Sequence, residues 1–268
     1  MTHVESETKC PVNDKMRKYR TPDGYTSDIA VFTIVSDKQG EHKPPTYTLK
    51  LMLIRRAQSD QNGKPNIEGG KWALPGGFVH EYETALEAAH RELAEETGVN
   101  GIFMKHFAVY DKPGRDPRGW IISNAFYAIV REEVLQRRRA ADDAEDVELF
   151  TVHELDESKL AFDHAMIIQE AVEVIRRELL QTTMFKEFLP EEFTLSELRN
   201  LLLLVAPEDP AIKIESTFSA NARKKYKFLE NVMEAKDGVL RPKTTKRTSH
   251  RPAELFRYKE TKVNATIF

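Results

Sequence analysis

Residues 76–99 read GGFVHEYETALEAAHRELAEETGV, and no other stretch leaves this chain so few ways to fold. Six carboxylates, Glu81, Glu83, Glu87, Glu92, Glu95 and Glu96, fall within it. Like charges four apart on a helix cost about 0.2–0.5 kcal/mol per pair. Glu83–Glu87 and Glu92–Glu96 have that spacing, and Glu95 lies three residues from Glu92 on the same flank. Ala85, Ala89 and Leu93, with Leu86 and Ala88 close by, form an apolar stripe at helical spacing. That stripe can pack on a sheet while the carboxylates face outward. The pattern predicts a helix from about Thr84 to Thr97, stopped by Gly98 as a left-handed C-cap.

A divalent cation removes the conflict between repulsion and packing. Mg²⁺ takes hard oxygen ligands, carboxylates together with water and substrate phosphate. Glu92, Glu95 and Glu96 are expected to converge within one helical turn, with Arg91 pairing Glu95 at (i, i+4) and orienting it. Gly76 and Gly77 let the backbone turn sharply and approach a ligand. The helix start that follows favours an anion. A metal beside a phosphate site points to phosphoryl chemistry. The competing reading is an acidic solvated helix, disfavoured because the glycines and the arginine stand in place as well.

The rest of the chain reads as an α/β domain followed by a basic end. Strands are expected over 28–36, 47–56, 72–79, 102–110, 120–130 and 147–152, and a second long helix over 163–180. Strands mixed with two long helices give an α/β domain over residues 26–182, preceded by a loose polar arm over 1–25. Residues 183–268 form a second unit. A helix over 194–205 opens with Thr194 and Glu197 at capping-box spacing, and another helix is expected over 217–235. A hairpin of 239–242 with 253–259 around a basic loop completes the pattern of a winged helix. Residues 211–262 carry a net charge of +8 in a chain of net −3, an asymmetry that suggests nucleic acid at that end. The single cysteine, Cys10, excludes a disulfide framework and fits a reducing, cytoplasmic setting. No apolar run is long enough to span a membrane. No GxG, GxxxxGK[ST], GxSxG or HExxH occurs.

Gly77, Glu83, Arg91-Glu92-Leu93, Glu95-Glu96 and Gly98-Val99 stand at the spacing of the Nudix box, nine defined positions over 23 residues. The chain therefore resembles the Nudix hydrolases, which cleave nucleoside diphosphates linked to another moiety. The resemblance implies an α/β/α sandwich with a mixed sheet and a Mg²⁺ or Mn²⁺ cofactor. It implies Glu92 and Glu96 as metal ligands, Glu95 as a helper, Gly76 among the metal contacts and Arg91 as the orienting residue. Glu83 becomes a secondary ligand or a helix-fixing group. The general base stays open between Glu92 and an acid of the 141–148 segment, such as Asp143 or Glu145.

The segment GRDPRG (114–119) resembles the ADP-ribose pyrophosphatase-like branch of that family. Arg115 and Arg118 offer forked donors for phosphate, and Arg55, Arg56 and Gly77 are placed with them as substrate contacts. His164 and Trp72 are read first as structural residues. FTLSELR (193–199) and RPAELFRY (251–258) resemble segments of Nudix-related transcriptional regulators, which join an ADP-ribose-sensing Nudix domain to a winged helix. Arg223, Lys224, Lys225 and Lys227 would then sit on a recognition helix, and Lys246 and Arg247 on the wing. The implied partners are a nucleoside diphosphate-linked small molecule and double-stranded DNA, with a homodimer matching a two-fold operator. Three readings follow: a hydrolase, a sensor that binds without cleaving, and both at once. The complete box favours the hydrolase.

Overall fold

The computed structural model describes residues 21–59, 62–135, 144–236 and 238–260. The first region runs β1 (Gly24–Asp37), β2 (Thr46–Arg56), β3 (Trp72–Ala73), β4 (Gly76–Phe78), α1 (Ala85–Thr97), β5 (Lys105–Tyr110), β6 (Ile121–Val130), α2 (Glu132–Leu135), β7 (Ala144–Thr151) and α3 (His164–Gln181). β1 is the central strand. It pairs antiparallel with β2 and β4 and parallel with β6. The sheet of seven strands is therefore mixed, with β3 and β7 on β2 and β5 on β6.

β1 is buried on both faces because its side chains alternate between two helices. Ile29 and Val31 join Ala89 and Leu93 of α1. Ala30, Phe32 and Ile34 join Ile167, Ile168, Ala171 and Ile175 of α3. The result is the expected α/β/α sandwich. Thr84 and Glu87 close a capping box at the start of α1, and Gly98 ends it at φ +71°. Leu86 lies outside the apolar stripe and is exposed. Part of the expected arm belongs to the sheet, since Gly24 and Tyr25 open β1; residues 1–20 lie outside the described residues.

The second region runs β8 (Phe193–Thr194), α4 (Leu195–Leu203), α5 (Pro210–Lys213), α6 (Glu215–Lys225), β9 (Leu229–Asn231), β10 (Met233–Lys236), β11 (Val239–Pro242), β12 (Thr244–Thr245) and β13 (Ala253–Tyr258). The Thr194–Glu197 capping box forms. The helix expected over 217–235 ends at Lys225, and residues 229–231 pair with β13 instead. Packing decides this: Phe228 is buried against Phe185 and Tyr226, with ring centroids 5.3 and 5.4 Å apart. The hairpin is also redrawn. β11 pairs with β10 through a turn at Gly238, at φ +76°, while β13 pairs with β8, β9 and β12. Three helices followed by an exposed hairpin keep the winged-helix pattern. One hydrophobic cluster joins Phe32 and Leu51 of the sheet to Leu198, Phe218 and Phe228, so apolar packing crosses the expected boundary at 182/183.

Candidate active site

The β4 strand brings two glycines against α1 and β1. At Gly76, with φ +150°, a Cβ would lie 2.1 Å from the carbonyl oxygen of Ser27 on the neighbouring strand. At Gly77 a Cβ would lie 2.3 Å from Oε1 of Glu92. The backbone thus passes so close to α1 that only hydrogen fits between it and a carboxylate. The Gly76 amide donates to Glu96 Oε2 at 2.8 Å.

Arg91 organises the acids around it. Its Nε and Nη2 donate to both oxygens of Glu83, at 3.1 and 2.6 Å, and Nη2 also donates to the Phe78 carbonyl. Nη1 donates to Glu92 at 2.7 Å and to Glu95 at 3.1 Å. Arg91 therefore orients Glu92 as well as Glu95, and ties both to Glu83. The Glu83 carboxyl is pulled down to about 2, chiefly by its bonds to Arg91.

Glu96 behaves in the opposite way. Burial raises its carboxyl to about 8; the Gly76 amide opposes the rise and Glu92 adds to it. Burial also pushes Glu92 up, against the pull of Arg91. Two half-buried carboxylates that are costly to ionise suit a site that gains a cation. Their donors are all oxygen, which fits a hard divalent ion taking one or two carboxylates. The expected convergence of three acids is not seen. Glu95 turns to Arg91 with its side chain 60% exposed, and among the described residues no three His, Cys, Asp or Glu side chains gather to hold a metal. The pair Glu92 and Glu96 is what fits.

Beside this pair a cleft is lined by Gly76, Gly77, Phe78, Arg56, Arg118 and Phe162, among others. Arg56 interacts electrostatically with Glu96, which links the cleft to the acids. The Arg118 guanidinium lies between Phe78 and Phe162, 5.0 and 5.1 Å from their ring centres, and Arg56 lies 5.0 Å from Phe162. Phe162 holds φ +51°, a conformation that a bulky residue rarely adopts. The space left is about 50 Å³, room for one or two waters.

Two of the expected substrate arginines are engaged by aspartates: Arg55 is not part of the cleft lining, and Arg115 lines the cleft but is held by Asp163. Arg55 lies beside Arg56 on β2 and so faces the other way, where it bonds Asp146 and the Gly70 carbonyl. Arg115 is buried and grips both oxygens of Asp163 at 2.8 and 2.7 Å. Arg118 is bidentate to Asp116, yet keeps a third of its side chain exposed. His164 accepts the Leu74 amide at 2.9 Å and faces Asp28, which also accepts from Ser123. Asp28 and Asp163 therefore fix the floor under β3 and β4. Asp28 carried no local sequence signal, since its partner Ser123 lies 95 residues away.

The NUDIX domain profile matches residues 26–171, more than half of the chain. The chain belongs to the NUDIX family. A relative from Acinetobacter baylyi, the ADPR responsive transcriptional repressor NtrR, is 27% identical over 87% of this chain and 81% of its own length. The ADP-ribose pyrophosphatase of Methanocaldococcus jannaschii is 41% identical over 45% of this chain and 64% of its own length. The crystal structure of Shewanella oneidensis NrtR complexed with a 27mer DNA aligns with a TM-score of 0.55 at 24% identity, over 88% of this chain and 93% of that one. That likeness establishes a shared fold across both regions.

Beyond the NUDIX domain, the expected DNA residues separate into groups. Lys224 and Lys225 are exposed at the end of α6, and Lys227 is exposed just past it. Arg223 pairs with Glu254. Arg247 leaves the expected DNA set: it donates to both carboxylate oxygens of buried Glu197 at 2.9 and 2.7 Å and to the Glu192 carbonyl. Lys246 lines a cavity with Arg247 instead of standing on the hairpin. Of the two acids named as alternative bases, Asp143 lies outside the described residues, as does the Glu145 side chain.

Proposed function

We propose that this NUDIX protein hydrolyses the pyrophosphate of ADP-ribose or a related nucleoside diphosphate derivative with Mg²⁺ or Mn²⁺. The observation that carries the reading is the half-buried Glu92–Glu96 pair beside the cleft of Arg56 and Arg118. Glu92 and Glu96 would hold the metal. When bound, the metal supplies a more acidic water and offsets charge on the bridging oxygens. Arg91 fixes Glu92, and the Gly76 amide fixes Glu96. Arg56 and Arg118 face the pyrophosphate, and Phe78 and Phe162 exclude water from it. A nucleotide exceeds the present space, so the Arg118–Phe162 stack opens to admit it. Glu92 is the candidate base within the described residues. Incubation with ADP-ribose and Mg²⁺ should release AMP. Binding without turnover under both metals would leave a pure sensor.

A regulatory role is supported by the repressor relative and by the exposed lysines closing α6. In this reading the second region binds double-stranded DNA as part of a cytoplasmic homodimer, and hydrolysis resets the signal. Affinity for duplex DNA should fall steeply with salt; a flat response would refute phosphate contacts.

A further inference from the structure

A second cavity, of about 840 Å³, opens between the β1–β2 connection and the second region. Residues 36–47 supply one wall; Phe188, Pro190, Glu197 and residues 246–248 supply the other. Its size lies within the range of roughly 300–1,000 Å³ that small-molecule sites occupy.

The charge is unbalanced toward cations. Lys38, Lys43, Lys246 and Arg247 face Glu41 and Glu197. Arg247 already neutralises Glu197. Among the described residues, no ion-pair partner is found for Lys38, Lys43 or Lys246. The surplus of two positive charges matches a phosphate monoester, which carries about −1.5 to −2 at neutral pH. Tyr47, Phe188 and His42 add flat surfaces. Burial keeps the Tyr47 hydroxyl protonated and able to donate.

The walls are also pinned together. His42 Nδ1 lies 2.6 Å from the Lys246 carbonyl, and Asn200 donates to the Pro45 carbonyl. His42 adopts φ +60° to make its contact.

We propose that this cavity is a second ligand site, separate from the metal cleft, and that it takes a nucleoside monophosphate. The lysines hold the phosphate, and the base lies against Tyr47 and Phe188. Both regions build the walls, so the ligand restrains one on the other.

The test uses the full chain in EDTA with AMP, GMP, CMP and UMP in turn, read by amide hydrogen exchange. At least one nucleotide should slow exchange in both 38–47 and 243–250. The double variant Lys38→Glu/Lys43→Glu should bind it at least tenfold more weakly, while ADP-ribose turnover stays at the wild-type rate. The proposal is overturned if no monophosphate protects both segments at millimolar concentration, or if protection is confined to the metal cleft. Equal protection by inorganic phosphate alone, or unchanged binding by the double variant, also overturns it.

Discussion

Replacing Gly77 by alanine should separate activity from stability, and the paired Gly76→Ala variant should not. The Cβ built at Gly77 lies 2.3 Å from Glu92 Oε1 and 2.5 Å from its Cδ. The obstacle is the far end of a flexible side chain. To reach ordinary contact the carboxylate must retreat by about 1 Å, and a misplacement of that size costs roughly 10²-fold in rate. The fold loses little, because Gly77 has no left-handed backbone to strain and alanine narrows the unfolded ensemble; stability should stay within about 1 kcal/mol of wild type. Gly76→Ala meets backbone instead, with Ser27 O at 2.1 Å and Asp28 Cα at 2.9 Å, at φ +150°. β4 pairs with β1 there, so neither strand can yield without breaking the pairing. That variant should lose about 3 kcal/mol or more. AMP release from ADP-ribose gives the rate, and guanidinium unfolding followed by circular dichroism gives the stability. Wild-type turnover in Gly77→Ala would refute the placement of Glu92 in the site, and equal destabilisation of the two variants would refute the distinction drawn from the geometry.

Glu96→Gln should lower turnover at least about 10²-fold yet keep the stability of the metal-free protein, because burial already favours the neutral acid. Its melting temperature should no longer rise with Mn²⁺, whereas that of the wild type should. Arg247→Ala should destabilise by about 1–2 kcal/mol, as buried Glu197 loses its partner and the exposed arginine limits the loss. It should leave the salt dependence of DNA binding unchanged, while Lys224→Ala should reduce the log–log slope by about 1. Burial holds the His164 imidazole below its ordinary value, so the unfolded chain binds the proton more readily. Stability linked to His164 is therefore present above pH 6.5 and lost as pH falls below it. Unfolding free energies of wild type and His164→Gln across that range should converge toward acid pH, and parallel curves would contradict a buried neutral imidazole.

Local pattern fixed what depends on near neighbours in the chain. The α1 helix, its Thr84 cap and its Gly98 stop were legible because capping and helical spacing act within a few residues. The capping box at Thr194 was readable for the same reason. Tertiary structure decided everything that needed a distant partner. Arg115 was taken up by Asp163, 48 residues away, whereas the Arg91–Glu95 pair that turns Glu95 from the site is local, four residues apart. Arg55 and Arg56 parted because a strand sends consecutive side chains to opposite faces. Residues 229–231 left the helix pattern because Phe228 found an aromatic pocket and β13 offered hydrogen bonds. Charge counting put Arg247 on a DNA surface; burial of Glu197 claimed it instead, since a desolvated carboxylate gains more from a cation than open solvent does.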